Sequence, residues 1–185
     1  MEFVFVGGNL ALDLLGTLKW RRSTPEEFLC TPADAARWAV EAGVVTVPPR
    51  LTTADLDALT ALRESVYRLI SAGLSGEPAR DGDLAAVNAA ATGPRIATVL
   101  TGTGTARTGT GAAIAAEVAA AAIALLGDVH AGRETRLREC ERPACTRVFL
   151  DRSRGQTRAW CGMAECGNRI KAAEYRARKA AVRGS

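Results

Sequence analysis

The chain has 185 residues, of which 48% are apolar and only 5% are aromatic. Its start lacks the basic segment of a secretory signal, and its longest apolar run, residues 111–126, is shorter than the about 20 residues that span a bilayer, so we expect a cytoplasmic protein without membrane contact. Residues 1–132 carry a net charge of −4, whereas residues 133–185 carry +8. This division favours a polyanionic partner for the C-terminal part, with a solvated basic tail as the alternative.

The N-terminal residues contain the start signals of several short helices. Asn9 follows two glycines and offers an N-cap side chain for a helix that runs to Leu18. Pro25 is predicted to lie in the first position of a capped turn. Thr31, which precedes a proline, is predicted to cap a helix that Gly43 ends. Many alanines and few aromatic residues indicate that such helices pack closely.

The longest amphipathic pattern begins at Thr52 or Thr53. Its apolar side chains recur at helical spacing and predict one buried face, made of Leu56, Leu59, Leu62, Val66, Leu69 and Ile70. Arg63 and Glu64 fall beside this face, where they either pair in the core or line a pocket. Asp81 is predicted to cap a shorter helix that follows.

Residues 96–110 are rich in threonine and contain a glycine turn at Gly102 and Gly104. This pattern predicts a β-hairpin. The glycines do not predict a phosphate loop, because no Gly-Lys-Ser/Thr motif follows them. Residues 112–126 are predicted to form a buried, alanine-rich helix. We therefore expect a mostly α-helical N-terminal domain with one small hairpin, spanning residues 1–132.

Four of the five cysteines form two pairs of equal spacing. Four residues separate Cys140 from Cys145 and Cys161 from Cys166, and fifteen residues lie between the pairs. Zinc takes four thiolates in a tetrahedron, and spacers of this kind let each pair fold around the ion. We therefore expect one structural zinc ion. A reversible disulfide with a redox-sensing role and an iron–sulfur cluster are the alternatives.

The remaining reactive side chains are not needed for the metal. Cys30 has no partner at metal-binding spacing and is predicted to be a small buried residue. His130 is the only histidine, and four cysteines already complete the site. Trp160, next to the third cysteine, is predicted to pack over the zinc. A closed four-thiolate site leaves no position for water, so we expect no enzymatic activity.

Around these cysteines the sequence closely resembles the CGNR zinc-finger family. The resemblance rests on residues 150–154, on residues 158–161 and on Cys166-Gly-Asn-Arg169, and it covers residues 138–182. Members of the family carry this finger behind an N-terminal domain named ABATE and are described as stress-induced transcription regulators of bacteria. Residues 7–13 and 59–64 are similar to that N-terminal domain.

The resemblance implies a small treble-clef-like finger in residues 133–185, built from a short β-hairpin and a C-terminal helix. The N-terminal domain is expected to sense a ligand or to form a dimer. The resemblance implies that Asp13 is a candidate ligand contact, and Asn9 and Arg63 are further candidates. The alternative for Asp13 is a surface carboxylate near a helix start, where the macrodipole favours negative charge.

Basic side chains surround the cysteines and continue into the last predicted helix. The candidate nucleic-acid contacts are Arg152, Arg154, Arg158, Arg169, Lys171, Arg176, Arg178 and Lys179. Several of them recur at a spacing of seven residues, which places them in rows along one side of a helix. Such a helix could enter the major groove of DNA or bind phosphates.

Three functions agree with these features. We favour a zinc-binding, DNA-binding transcription regulator whose N-terminal domain senses a small molecule or forms a homodimer. The alternative is a protein-interaction or RNA-binding adaptor in which zinc only stabilises the structure. An enzyme is the third, for which no nucleophile–base pair is evident.

Overall fold

The computed structural model describes residues 2–168, 170, 172, 175, 176 and 179. It confirms the predicted fold class, which is mostly α-helical with small hairpins and a C-terminal four-cysteine cluster. The helices are α1 (Leu10–Leu15), α2 (Pro32–Glu41), α3 (Thr53–Ser75), α4 (Asp81–Ala91) and α5 (Gly111–His130). The strands are β1 (Leu18–Lys19), β2 (Glu26–Glu27), β3 (Ala97–Thr101), β4 (Gly104–Thr108), β5 (Leu137–Glu139) and β6 (Val148–Leu150). A π-helical turn, Met163–Gly167, begins the last helical segment.

Two helices begin with the caps that the sequence predicts. At the start of α2, the Thr31 hydroxyl accepts from the Asp34 N–H, and the Asp34 carboxylate accepts from the Thr31 N–H. Thr52 and Asp55 form the same reciprocal pair at the start of α3. Each pair satisfies two N–H groups that a helix start otherwise leaves without partners.

The core lies where α5 packs against α1, α3 and α4. By length and composition α5 could cross a membrane. Ile114, Val118 and Ala122 are completely buried against the neighbouring helices. The helix is therefore the central element of a bundle, as the alanine-rich pattern predicts. Trp38 of α2 is also completely buried and belongs to the same core.

Asp81 does not cap α4 as predicted, because it is the first residue of the helix; the N-cap is Arg80, which forms no side-chain cap hydrogen bond. Three predictions nearer the N-terminus were also wrong. The first helix ends at Leu15, and Leu18 begins β1. The region of Pro25 forms no helix, because Glu26–Glu27 pair with β1 and the Glu27 carboxylate accepts the N–H groups of the next two residues. Cys30 is exposed rather than buried. All three lie in or beside a chain segment held by long-range contacts that local patterns do not record.

The hairpin β5–β6 is part of the main core. Leu137, Val148 and Leu150 are buried in the same cluster as the helices. The Leu150 N–H also donates to the carbonyl oxygen of Gly7, at 2.9 Å. A side chain at Gly7 would collide with Leu12, so the close approach of Gly7 to α1 requires glycine. The boundary predicted at residue 132 thus falls after α5, between segments that share one core.

Candidate metal centre and its surroundings

The four cysteines of the predicted site converge from two segments of the chain. Cys140 directly follows β5, and Cys145 lies in the connection that leads to β6. Cys161 precedes the π-helical turn, and Cys166 lies within it. All four are buried, and their sulfur atoms lie within 4.8 Å of one another.

The sulfur positions fit a tetrahedral zinc ion. The Cys145 sulfur lies 3.8 Å from that of Cys161, which lies 3.7 Å from that of Cys166. A regular tetrahedron with Zn–S bonds of about 2.3 Å has sulfur–sulfur distances of about 3.8 Å. A disulfide needs about 2.05 Å. The described cysteines are all free thiols, arranged as zinc ligands rather than as disulfides.

Donors outside the cysteine side chains favour negative charge on two of the sulfurs. The Cys161 N–H donates to the Cys140 sulfur at 3.5 Å, and the Arg142 guanidinium donates to the Cys166 sulfur at 3.9 Å. Hydrogen bonds from the thiols of Cys145 and Cys161 lower the pKa of Cys140. The same contact with Cys140 raises the pKa of Cys145. Four thiolates at this distance therefore require a cation, which a zinc ion supplies.

Apolar side chains enclose the sulfurs. Phe149 of β6 is completely buried among them, and Trp160 packs against the cluster as predicted. Trp20 and Val6 pack against it from the N-terminal part of the chain. No local pattern indicates the role of Trp20, which lies 120 residues before Cys140. An apolar enclosure of this kind excludes water from the thiolates.

Residues next to Trp20 attach the metal centre to the helical part. The Arg21 N–H donates to the hydroxyl of Thr146 at 3.2 Å. Arg22 forms an ion pair with Glu139 of β5 at 2.6 Å. These contacts connect the loop between β1 and β2 with both sides of the first cysteine pair.

Two of the candidate ligand contacts lie at the start of α1. The Asn9 side chain caps the helix by accepting from the Ala11 N–H at 2.8 Å. Asp13 accepts the Gly7 N–H at 2.8 Å. Burial raises the pKa of the Asp13 carboxyl, although the Gly7 hydrogen bond and the charge of Arg147 act in the opposite direction. Both side chains therefore hold the glycine loop against the helix.

The third candidate, Arg63, lies elsewhere and is almost completely buried. It donates two hydrogen bonds to the Glu27 carboxylate, at 2.7 and 2.6 Å, and one to Glu64, at 2.8 Å. The Glu64 carboxylate also binds Arg21. Beside this network is a cavity of about 620 Å³ that is wide open to solvent, lined by Arg63, Glu27 and Glu64 and by exposed Cys30. The sequence left open whether Arg63 pairs or lines a pocket, and the structure shows both.

Among the nucleic-acid candidates, Arg152 and Arg154 are exposed in the loop after β6. Buried Asp151 orders this loop by accepting the N–H groups of Ser153 and Arg158, at 2.9 and 2.8 Å. Arg152 is also held by its guanidinium group, which donates to the Gly8 carbonyl oxygen at 2.8 Å.

The other candidates differ in their environment. Arg158 is half-buried, stacks on the Phe149 ring at 4.3 Å and donates to the carbonyl oxygens of Trp160 and Cys161, so it packs within the finger. Arg176 and Lys179 are exposed on the last helical segment. Arg169, Lys171 and Arg178 lie outside the described residues.

The comparison with protein families agrees with this geometry. A family model described as "Putative stress-induced transcription regulator", ABATE, matches residues 8–129. The model of the CGNR zinc finger matches residues 136–179. No curated protein matches the chain. The chain therefore belongs to the ABATE family and carries, after the ABATE domain, a CGNR zinc finger whose four cysteines form a site for one structural zinc ion.

Proposed function

We propose that this protein is a cytoplasmic transcription regulator that binds duplex DNA through its zinc finger, while the N-terminal helical domain senses a small molecule or forms a homodimer. The observation that carries the proposal is the exposed pair Arg152 and Arg154 on a loop ordered by Asp151 beside the zinc centre. A loop fixed in this way presents cations without first losing conformational freedom. Exposed Arg176 and Lys179 extend the positive surface onto the last helical segment.

The role of the zinc ion in this function is structural. Cys140, Cys145, Cys161 and Cys166 would occupy all four of its positions, so no position remains for a water molecule or substrate. The ion contributes folding free energy to the finger. We accordingly propose a binding function without catalysis.

The ligand-sensing part of the proposal is supported by the cavity beside Arg63. Arg63 is a planar donor of several hydrogen bonds, and it is held by Glu27 and Glu64 at the wall of the cavity. A ligand with a carboxylate or phosphate could replace one of these carboxylates as its partner.

Fluorescence anisotropy with labelled duplex DNA tests the DNA-binding part, with zinc content measured on the same sample. Between about 50 and about 200 mM salt the affinity should fall steeply, with a slope of about −0.9 for each phosphate contact. Arg154→Ala should weaken binding and reduce this slope by about 1. Arg95→Ala is the matched control, because it removes an exposed arginine from the N-terminal domain.

The outcomes separate the candidate functions. Equal effects of the two arginine substitutions would refute a DNA surface on the finger. Stoichiometric zinc without any DNA binding would refute the regulator proposal and favour the adaptor. Tighter binding of RNA than of duplex DNA would also favour the adaptor.

A further inference from the structure

The hairpin β3–β4 leaves apolar side chains in water. Every residue of β3 is exposed, and Leu100 and Val99 keep 86% and 53% of their surfaces accessible. An isolated two-stranded hairpin is marginally stable in water. Here its base is fixed by Arg107, which donates to the carbonyl oxygen of Gly43 at 2.8 Å. The remainder of the hairpin extends from this anchor with both faces exposed.

The two edges of the hairpin differ. On the β4 edge, Arg107 accepts the Thr46 N–H at 2.9 Å and donates its own N–H to the Thr46 hydroxyl at 3.0 Å. The backbone groups of Arg107 therefore point away from β3. Arg107 lies opposite Thr98, and in such an antiparallel pair both residues direct their N–H and C=O groups outward. Thr98 and, two residues later, Leu100 thus present these groups on the outer edge of β3.

In the described part of the chain, no hydrogen bond reaches these outward groups of Thr98 and Leu100. The edge also lacks the usual protection. Its five residues, Ala-Thr-Val-Leu-Thr, include no charge and no proline, and their register with β4 has no bulge. Proteins normally protect exposed edges with such features, because an open edge pairs with other strands.

We propose that β3 pairs with β3 of a second copy of this chain, antiparallel, to form a four-stranded sheet about a two-fold axis at Val99. Thr98 of each protomer then lies opposite Leu100 of the partner subunit, and each such pair exchanges two hydrogen bonds. On one face Val99 contacts Val99 of the partner subunit. On the other face the Leu100 side chains are covered by the threonines opposite them.

The absence of charge on β3 favours a second copy of the chain as the partner. A charged strand meets a like charge when it pairs with itself about a two-fold axis, which is unfavourable. β3 carries no charge, so self-pairing has no such cost. The antiparallel arrangement also gives each outward N–H a carbonyl oxygen, because Thr98 and Leu100 exchange roles across the axis.

This inference specifies the dimerisation part of the proposed function and rests on that part only. The oligomeric state is measured without DNA, so a failure of DNA binding and a failure of dimerisation are distinguishable. A single strand pair gives a small interface, and we expect a dissociation constant of about 1 to about 100 µM.

Sedimentation velocity of the zinc-loaded full chain over this concentration range tests the proposal. Thr98→Pro removes an outward N–H from the β3 edge and no hydrogen bond within the hairpin, and it should weaken dimerisation at least about tenfold. Thr105→Pro is the matched control on β4, since Thr105 pairs with Leu100 and its N–H also points outward. It should leave the dissociation constant unchanged. A monomer at all concentrations, or equal weakening by both substitutions, would overturn the proposal.

Cross-linking provides a second test that does not depend on how proline is tolerated. Val99→Cys, in a Cys30→Ser background that removes the exposed thiol, would place two cysteines opposite each other across the axis. Their Cα atoms would be about 4.5 Å apart, within the about 4.4–6.8 Å that a disulfide spans. Oxidised glutathione should then link the dimer covalently, while zinc content stays unchanged. Thr105→Cys in the same background is the control. No cross-linking of Val99→Cys, or cross-linking equal to that of Thr105→Cys, would refute the interface.

Discussion

Replacement of Cys166 by serine is expected to destabilise the N-terminal helices as well as the zinc finger. The sequence alone predicts that this substitution unfolds the zinc finger and leaves the N-terminal helices largely intact, because structural zinc contributes about 10–16 kcal/mol to the folding of small finger peptides. In the structure, Leu137, Val148 and Leu150 of the hairpin that bears the first cysteine pair are buried in the helical core. Loss of zinc removes the constraint that holds this hairpin, and therefore affects the core.

The magnitude follows from the burial of these side chains. Full burial of a leucine or valine contributes about 1.5–3 kcal/mol, so the three side chains together contribute about 5–9 kcal/mol. A whole domain is stable by only about 5–15 kcal/mol. For a chain of this size, about 2–4 °C of melting temperature corresponds to 1 kcal/mol, so the helical transition should shift down by at least about 10 °C.

Thermal unfolding followed by far-UV circular dichroism measures the helices, and a chelating dye measures zinc in the same samples. Cys30→Ser is the matched control, because Cys30 is exposed and lies outside the cluster. It should keep both the zinc and the wild-type melting temperature. If Cys166→Ser loses zinc but the helices melt at the wild-type temperature, the two parts fold independently and the argument from the shared core is wrong.

Three further predictions concern individual contacts. Trp20→Ala should accelerate zinc transfer to a chelator in stopped-flow measurements, because the ring covers the cysteine cluster. Thr52→Ala should lower the free energy of unfolding by about 1 kcal/mol in urea titrations, since the Asp55 N–H loses its cap. Burial opposes ionisation of Glu27, but hydrogen bonds from Arg63 and from backbone N–H groups outweigh it and lower its pKa below 4.5. The stability that the ionised Glu27 adds is therefore present above about pH 4.5 and is lost as the pH falls through the lowered pKa. The urea midpoint of Glu27→Gln should accordingly depend less on pH than that of the wild type.

The metal site was predictable because its information is local. Equal spacing within each cysteine pair identified the four ligands, and the position of Trp160 beside Cys161 identified one side of the enclosure. The caps at Thr31 and Thr52 were predictable for the same reason, since each depends on a residue three positions away. Short sequence spacings are enough to predict a contact when the two residues are near each other in the chain.

The contacts that attach the finger to the helices were not predictable from such patterns. Trp20 reaches Cys140 across 120 residues of chain. Glu27 pairs with Leu18 in a strand, and its carboxylate binds Arg63, 36 residues later. Asp151 orders the arginine loop through backbone groups, which no side-chain spacing records. A single sequence contains no signal for long-range pairs of this kind.

A short chain of contacts runs from the cavity beside Arg63 to the metal centre. Glu64, which binds Arg63, also accepts from the Arg21 side chain at 3.1 Å, and the Arg21 N–H donates to Thr146 beside the first cysteine pair. Trp20, just before Arg21, has a φ of 54°, which costs a non-glycine residue about 1–3 kcal/mol. Packing against the cysteines offsets this cost. A ligand that displaced Glu64 would therefore release the segment of Trp20 and Arg21. Loss of zinc would release the same segment. Because coupling between two sites is reciprocal, zinc occupancy should change the affinity for such a ligand.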